Sequence, residues 1–184
     1  MLPDRTALLL VDIQEGIDDP RHGLRNNPGA EKEAARLLAA WRDSDRPVVH
    51  VRHMSVEPGS PLRPGLPGNA FKALVRPQQG ETVVEKTTNS AFIGTDLEGL
   101  LRAGGVSTVV IAGLTTEHCV SSTVRMSGDL GFETYVVSDA SACFGHDGPS
   151  GERFTAEQVH GVSLASLEGE FARVVGTDEI LRRL

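Results

Sequence analysis

Cys119 has the most specific chemical setting in this chain. It closes the segment Gly113-Leu-Thr-Thr-Glu-His-Cys119, which follows an apolar run and opens a helical pattern. With Thr116 as N-cap, Cys119 takes the third helical position, where unpaired N–H groups and the helix dipole favour negative charge. A thiol so placed can have its pKa lowered to about 3.5–7.5, with further help from a lysine. The same N–H groups can hold an oxyanion. Two more residues complete a nucleophile's needs. Asp12 ends the run Ala7-Leu-Leu-Leu-Val11, and Lys86 follows Thr82-Val-Val84. A carboxylate can take the thiol proton and pass it to a leaving group, while an ammonium stabilises negative charge. Cys143 has no comparable constellation and reads as a buried structural thiol.

Residues so far apart in sequence need a fold to gather them. Ala7–Val11 is continuously apolar, as suits a strand buried on both faces of a parallel sheet. Pro47–Val51, Thr82–Val84, Val106–Ala112, Glu133–Val137 and Phe171–Val175 read the same way. Between them lie helical patterns. Asn27 is expected to cap a helix starting at Pro28, with Leu37, Leu38 and Trp41 as its buried stripe. Thr95-x-x-Glu98 reads as a capping box before Leu97, Leu100 and Leu101, with a stop at Gly104-Gly105. The helix carrying Cys119, Val120 and Val124 should run to Gly131. Thr155-x-x-Gln158 is a second capping box, leading into Val159, Val162 and Leu167. Strands alternating with helices indicate an α/β fold. Ligands then bind beyond the carboxyl ends of the strands, where Asp12, Lys86 and Cys119 all stand. The Pro- and Gly-rich stretch His53–Gly80 is expected to close over that end as a loop, with Ser138–Gly151 as a second rim loop.

With 184 residues, the chain is expected to form one domain, residues 1–184. A net charge of −7 argues against nucleic acid or an anionic membrane as partner. Two cysteines without a C-x-x-C make no disulfide framework, and free thiols fit a cytoplasmic setting. No apolar run approaches a membrane span. The turn after the first strand reads Asp12-Ile-Gln-Glu-Gly16, which lacks the dinucleotide-binding G-x-G-x-x-G, and no G-x-S-x-G marks a serine hydrolase. A phosphoaspartate enzyme would use Asp12 but would want a second acid where Gln14 stands.

Asp12-Ile-Gln14 after an apolar strand, Glu85-Lys86 with Ser90-Ala-Phe92, and Gly113-Leu-Thr-Thr-Glu-His-Cys119-Val120 together resemble the isochorismatase-like cysteine hydrolases. The likeness spans about Leu8 to Val175. It implies a three-layer Rossmann-like fold with a six-stranded parallel sheet, a catalytic triad of Asp12, Lys86 and Cys119, and a small-molecule substrate. It further implies a cis peptide between Leu114 and Thr115, an oxyanion hole from the Thr115 and Cys119 N–H groups, and a homo-oligomer, dimer or tetramer. The implied reaction is hydrolysis of a C–N bond in an amide, lactam or ureido group through a thioester. Isochorismatase-type vinyl-ether hydrolysis and nicotinamidase activity are the alternatives. Gln14, Phe71, Ser90 and Phe92 are the candidate pocket residues, with Phe71 reaching a site from the long loop or from a neighbouring subunit. Nicotinamidases of the family hold a metal through an Asp-x-His pair and a further His, but here the position reads His50-Val-Arg-His53. Residues three apart on a strand face opposite ways. Neither metal nor cofactor is therefore expected, and the chain leans to the branch that streptothricin hydrolase represents. His118 and His160 fall on predicted helices and read as ordinary histidines.

Overall fold

The computed structural model describes all 184 residues. The first apolar run forms β1 (Ala7–Val11), and all five of its residues are buried. It pairs in parallel with β2 (Val48–His53) on one side and β4 (Thr108–Leu114) on the other. Its side chains alternate between two cores. Leu8 and Leu10 meet Leu37, Leu38 and Trp41 of α1 (Ala30–Asp43). Leu9 and Val11 meet Leu97 and Leu101 of α2 (Leu97–Ala103) and Val124 of α3 (Ser121–Asp129). Helices on both faces explain why the run is continuously apolar rather than alternating. Each buried leucine contributes roughly 1.5–3 kcal/mol to this packing. The indole N–H of Trp41 also finds a partner, donating to the Thr6 carbonyl at 3.0 Å.

β3 (Thr82–Lys86), β5 (Glu133–Ala142) and β8 (Arg173–Val175) complete a six-stranded parallel sheet in the order β3-β2-β1-β4-β5-β8. The expected α/β class and six-stranded parallel sheet are what the chain forms. Between β5 and β8 lie a short antiparallel pair, β6 (His146–Asp147) and β7 (Arg153–Phe154), and then α4 (Ala156–Ala165). α5 (Thr177–Leu181) ends the chain's regular structure. No helix is long and apolar enough to cross a membrane.

Several local expectations are corrected. β5 does not stop at Val137 but continues through a bulge, so its register against β4 jumps from Ile111–Val136 to Gly113–Ser141. Asn27 is not a helix cap. Its Nδ2 donates to the Ser138 and Ser141 carbonyls at 3.0 and 2.8 Å, supplying partners that the bulge takes from the ladder. α1 begins at Ala30 after Gly29. No capping box forms at Thr95, because α2 begins one residue after Asp96 and the Thr95 hydroxyl donates to the Ala91 carbonyl at 2.6 Å. The box at Thr155 and Gln158 does form, with both reciprocal bonds. Leu100 and Val162 are exposed, so the buried stripes of α2 and α4 are narrower than read. Gly113 has a steric reason to be glycine. Its φ is +144°, and a Cβ there would lie 2.1 Å from the Val11 carbonyl oxygen.

Candidate active site

Three strand ends meet at one edge of the sheet. Asp12 follows β1 with φ +51°, a left-handed conformation uncommon outside glycine. Its carboxylate is 1% exposed, and Lys86 at the end of β3 is equally buried. The Lys86 ammonium donates to Asp12 Oδ2 at 2.6 Å, to the Thr88 carbonyl at 3.1 Å and to His53 Nδ1 at 3.2 Å. Those three bonds use all three donors of the ammonium and fix its position. Asp12 Oδ1 is left buried without a hydrogen-bond partner. A carboxylate oxygen, a ring nitrogen and the sulfur of Asp12, His53 and Cys119 lie within 4.8 Å of one another.

Cys119 reaches this point from a single π-helical turn, Thr116–Val120, that precedes α3. The peptide between Leu114 and Thr115, at the end of β4, is cis. Thr116 is not the cap. Its hydroxyl is 2.9 Å from His160 Nδ1, and Thr115 occupies the position before the turn. The N-terminal α-helical placement read for Cys119 therefore gives way to a wider turn.

The expected acidification of the thiol is also overturned. Cys119 is pushed up to about 12, first by burial and then by the negative charge of Asp12, with Lys86 opposing. Asp12 is raised from the ordinary carboxylate value, because burial outweighs the pull of Lys86. His53 is lowered by burial and by Lys86, whose ammonium lies 3.2 Å from its Nδ1. At rest the site thus holds a thiol, not a preformed thiolate.

A cavity of about 440 Å³ opens onto these groups, within the range of small-molecule sites. Asp12, His53, Thr115 and Cys119 line its floor; Ile17, Leu62, Leu114 and Phe144 give it apolar wall. Leu62 comes from the long loop, which is tied down from below. Gln14 Nε2 donates to the Asn69 carbonyl at 2.9 Å and to the His53 carbonyl at 3.1 Å, and its Oε1 accepts from the His53 N–H at 2.8 Å. Gln14 is therefore a buried clamp between strand and loop, not a pocket wall. Phe71 packs edge-on against His50 at 5.8 Å, Phe92 stacks on Phe132 at 6.0 Å, and the Ser90 hydroxyl accepts from the Phe92 N–H at 3.3 Å. None of the four candidate pocket residues lines the cavity within one chain.

The residues that do line it were missed for identifiable reasons. Asn89 stands three residues beyond Lys86, and its Oδ1 is 3.8 Å from the Cys119 sulfur. His118 lines the cavity although it read as ordinary, while His160 instead supports Thr116 from behind. His50 and His53 do point apart. His50 Nε2 meets Glu81 at 2.8 Å on the far side of the sheet edge, and only His53 faces the site. The family's nicotinamidase-type metal set does not fit here, since its Asp is absent and the Lys86 ammonium sits between Asp12 and His53.

Residues 6–179 match the Isochorismatase domain family. The chain belongs to that family. An uncharacterised isochorismatase-family protein of Bacillus subtilis, YrdC, is 43% identical over 98% of this chain and 96% of its own length. Maleamate amidohydrolase of Pseudomonas putida is 32% identical over 98% of this chain and 87% of its own. A crystal structure from Chromobacterium violaceum, described as an isochorismatase-family hydrolase, superposes with a TM-score of 0.96 at 50% identity, covering 99% and 94% of the two chains. These likenesses span the β1, β3 and β4 ends together. The isochorismatase fold is thus the frame in which Asp12, Lys86 and Cys119 meet.

Proposed function

We propose that this isochorismatase-family hydrolase cleaves a C–N bond of a small amide, lactam or ureido substrate, with Cys119 as nucleophile. The observation that carries the reading is the buried Asp12 carboxylate, which has an oxygen within 4.8 Å of the Cys119 sulfur while Lys86 holds Oδ2 and Oδ1 has no hydrogen-bond partner. The C–N activity of the maleamate amidohydrolase relative supports the bond type.

In the proposed cycle, Asp12 Oδ1 accepts the thiol proton as sulfur attacks the substrate carbonyl carbon. Because the thiol is pushed up to about 12, the proton moves with the attack rather than before it. The N–H groups of Thr115 and Cys119 hold the oxyanion. Asp12 then gives its proton to the leaving nitrogen, the C–N bond breaks, and a thioester remains. Asp12 next takes a proton from water, which attacks the thioester. The acid leaves, and the proton returns to Cys119 sulfur. Burial that raises Asp12 suits a group that must both take and give a proton. Lys86 never transfers a proton in this scheme; its charge opposes the burial that raises Asp12.

A panel of small amides, lactams and ureides, assayed for release of ammonia or amine, tests the reading. Substrates of the expected class are hydrolysed by the wild-type chain, and acyl-enzyme on Cys119 is trapped by acid quench and detected by mass. Full turnover of such a substrate by Cys119→Ala would sink the proposal.

A further inference from the structure

Glu117, His118 and His146 form a second cluster, at the mouth of the same cavity and outside the machinery described above. Glu117 and His118 lie on the π-helical turn, and His146 is on β6. Their ligand atoms are all within 4.8 Å of one another. Glu117 Oε1 is 2.9 Å from His146 Nε2 and 3.7 Å from His118 Nδ1. The Glu117 side chain is only 10% exposed, and its Oε2 is buried without any hydrogen-bond partner. An unmatched carboxylate oxygen at such depth is costly unless a donor or cation completes it. The two imidazoles are half-exposed, with ring centroids 5.4 Å apart, so a cation can reach the cluster from solvent.

We infer that these three residues bind one divalent cation of the zinc class. The donor set of two imidazole nitrogens and one carboxylate oxygen suits such an ion. At ligand bonds of about 2.0–2.2 Å, tetrahedral donors stand roughly 3.3 Å apart, between the two distances found here. Three protein ligands leave the fourth position open, and all three line the cavity that holds Cys119. The open position would therefore take an oxygen or nitrogen of a cavity ligand. Asp12, His53 and Cys119 are the competing donor set, but the Lys86 ammonium already lies among them, and its charge repels a second cation. The inference does not depend on Cys119 acting as a nucleophile.

Metal-free full-length protein titrated with Zn²⁺ by calorimetry tests it. One ion per chain is expected, with affinity lowered at least about tenfold in each of H118A, H146A and E117Q, and unchanged in C119A. The two histidines are exposed enough for their variants to fold, and circular dichroism verifies this. The Co²⁺-loaded protein should show visible ligand-field absorption without a thiolate-to-cobalt band. Absence of saturable binding, retention of affinity in both histidine variants, or a thiolate band lost in C119A would each overturn the assignment.

Discussion

The chain has two cysteines at neighbouring strand ends, Cys119 beyond β4 and Cys143 just beyond β5. Burial pushes both thiols up to about 12. Acidity therefore does not distinguish them. Surroundings do. Cys143 is fully buried, its sulfur donates to the Ala156 carbonyl at 3.2 Å, and the acids that raise it, Glu117 and Glu157, are felt only through charge. Cys119 lines a cavity and has a carboxylate oxygen of Asp12 within 4.8 Å of its sulfur. In the proposed reaction, what sets Cys119 apart is a proton acceptor nearby and a path for substrate, not a low resting pKa.

The two cysteines should differ most when each is removed. Cys119→Ala should lower kcat by about 10⁴-fold or more, as loss of a covalent nucleophile does, whereas Cys143→Ala should leave kcat within twofold. Steady-state kinetics on any substrate from the amide panel measures both. Equal losses in the two variants would erase the distinction.

Asp12→Asn tests the acceptor. It should cost about 10²–10⁴-fold in kcat, the range of a general acid–base group. The pH dependence sharpens the same point. Asp12 must be ionised to accept the thiol proton, so kcat/KM should rise with pH through an Asp12 pKa that lies above the ordinary carboxylate value of 3.8. With the thiol pushed to about 12, no second ionisation of Cys119 should appear near neutrality. A rising limb near the usual thiol pKa, retained in Asp12→Asn, would instead restore the preformed thiolate.

Much of this contrast was legible in the sequence, and some was not. Five residues of uninterrupted apolarity in Ala7–Val11 report a strand covered on both faces, and that places Asp12 at a carboxyl edge. Cys119 follows by the same reasoning after β4, but Lys86 does not: β3 is an edge strand with Thr82 and Val83 exposed, so its short apolar run marked a strand end without being covered on both faces. The sign of the Cys119 shift did not, because it depends on burial and on distances that only the assembled turn sets. Asn27 and Thr95 carried capping signatures, yet each found a better partner in the fold, one in the β5 bulge and one at Ala91. Asn89, Glu117 and His146 reach the cavity from three separate segments, and no spacing rule connects them. Gln14, Phe71, Ser90 and Phe92 sit near the right strand ends but spend their side chains on structure.

Lys86 lends itself to a stability test. Lys86→Met strands a buried carboxylate, which should cost about 3–5 kcal/mol. Removing its charge also removes what lowers Asp12, so the acid limb of kcat/KM should move to higher pH. The double variant Asp12→Asn with Lys86→Met replaces the whole pair and should recover most of the stability while staying inactive. Chemical denaturation of the three variants measures this. A double variant as unstable as the single one would mean that the pair supports the fold beyond its own compensation.

The smallest effect concerns access alone. Iodoacetamide at neutral pH should label Cys119 slowly but selectively in the folded chain, since only that sulfur faces the cavity. Asp12→Asn removes both a proton acceptor and a charge that pushes the thiol up, so slower labelling shows that Asp12 acts as the acceptor and faster labelling that its charge dominates. Cys143 should react only when denaturant opens the fold, as it is wholly buried beneath the Ala156 carbonyl. Mass mapping of the alkylated peptides gives the order directly. Equal labelling of both thiols in folded protein would show that access does not separate them, and the burden of selectivity would fall on Asp12 alone. Faster labelling of Cys119 that Asp12→Asn leaves untouched would invert that, making the cavity the whole of the difference.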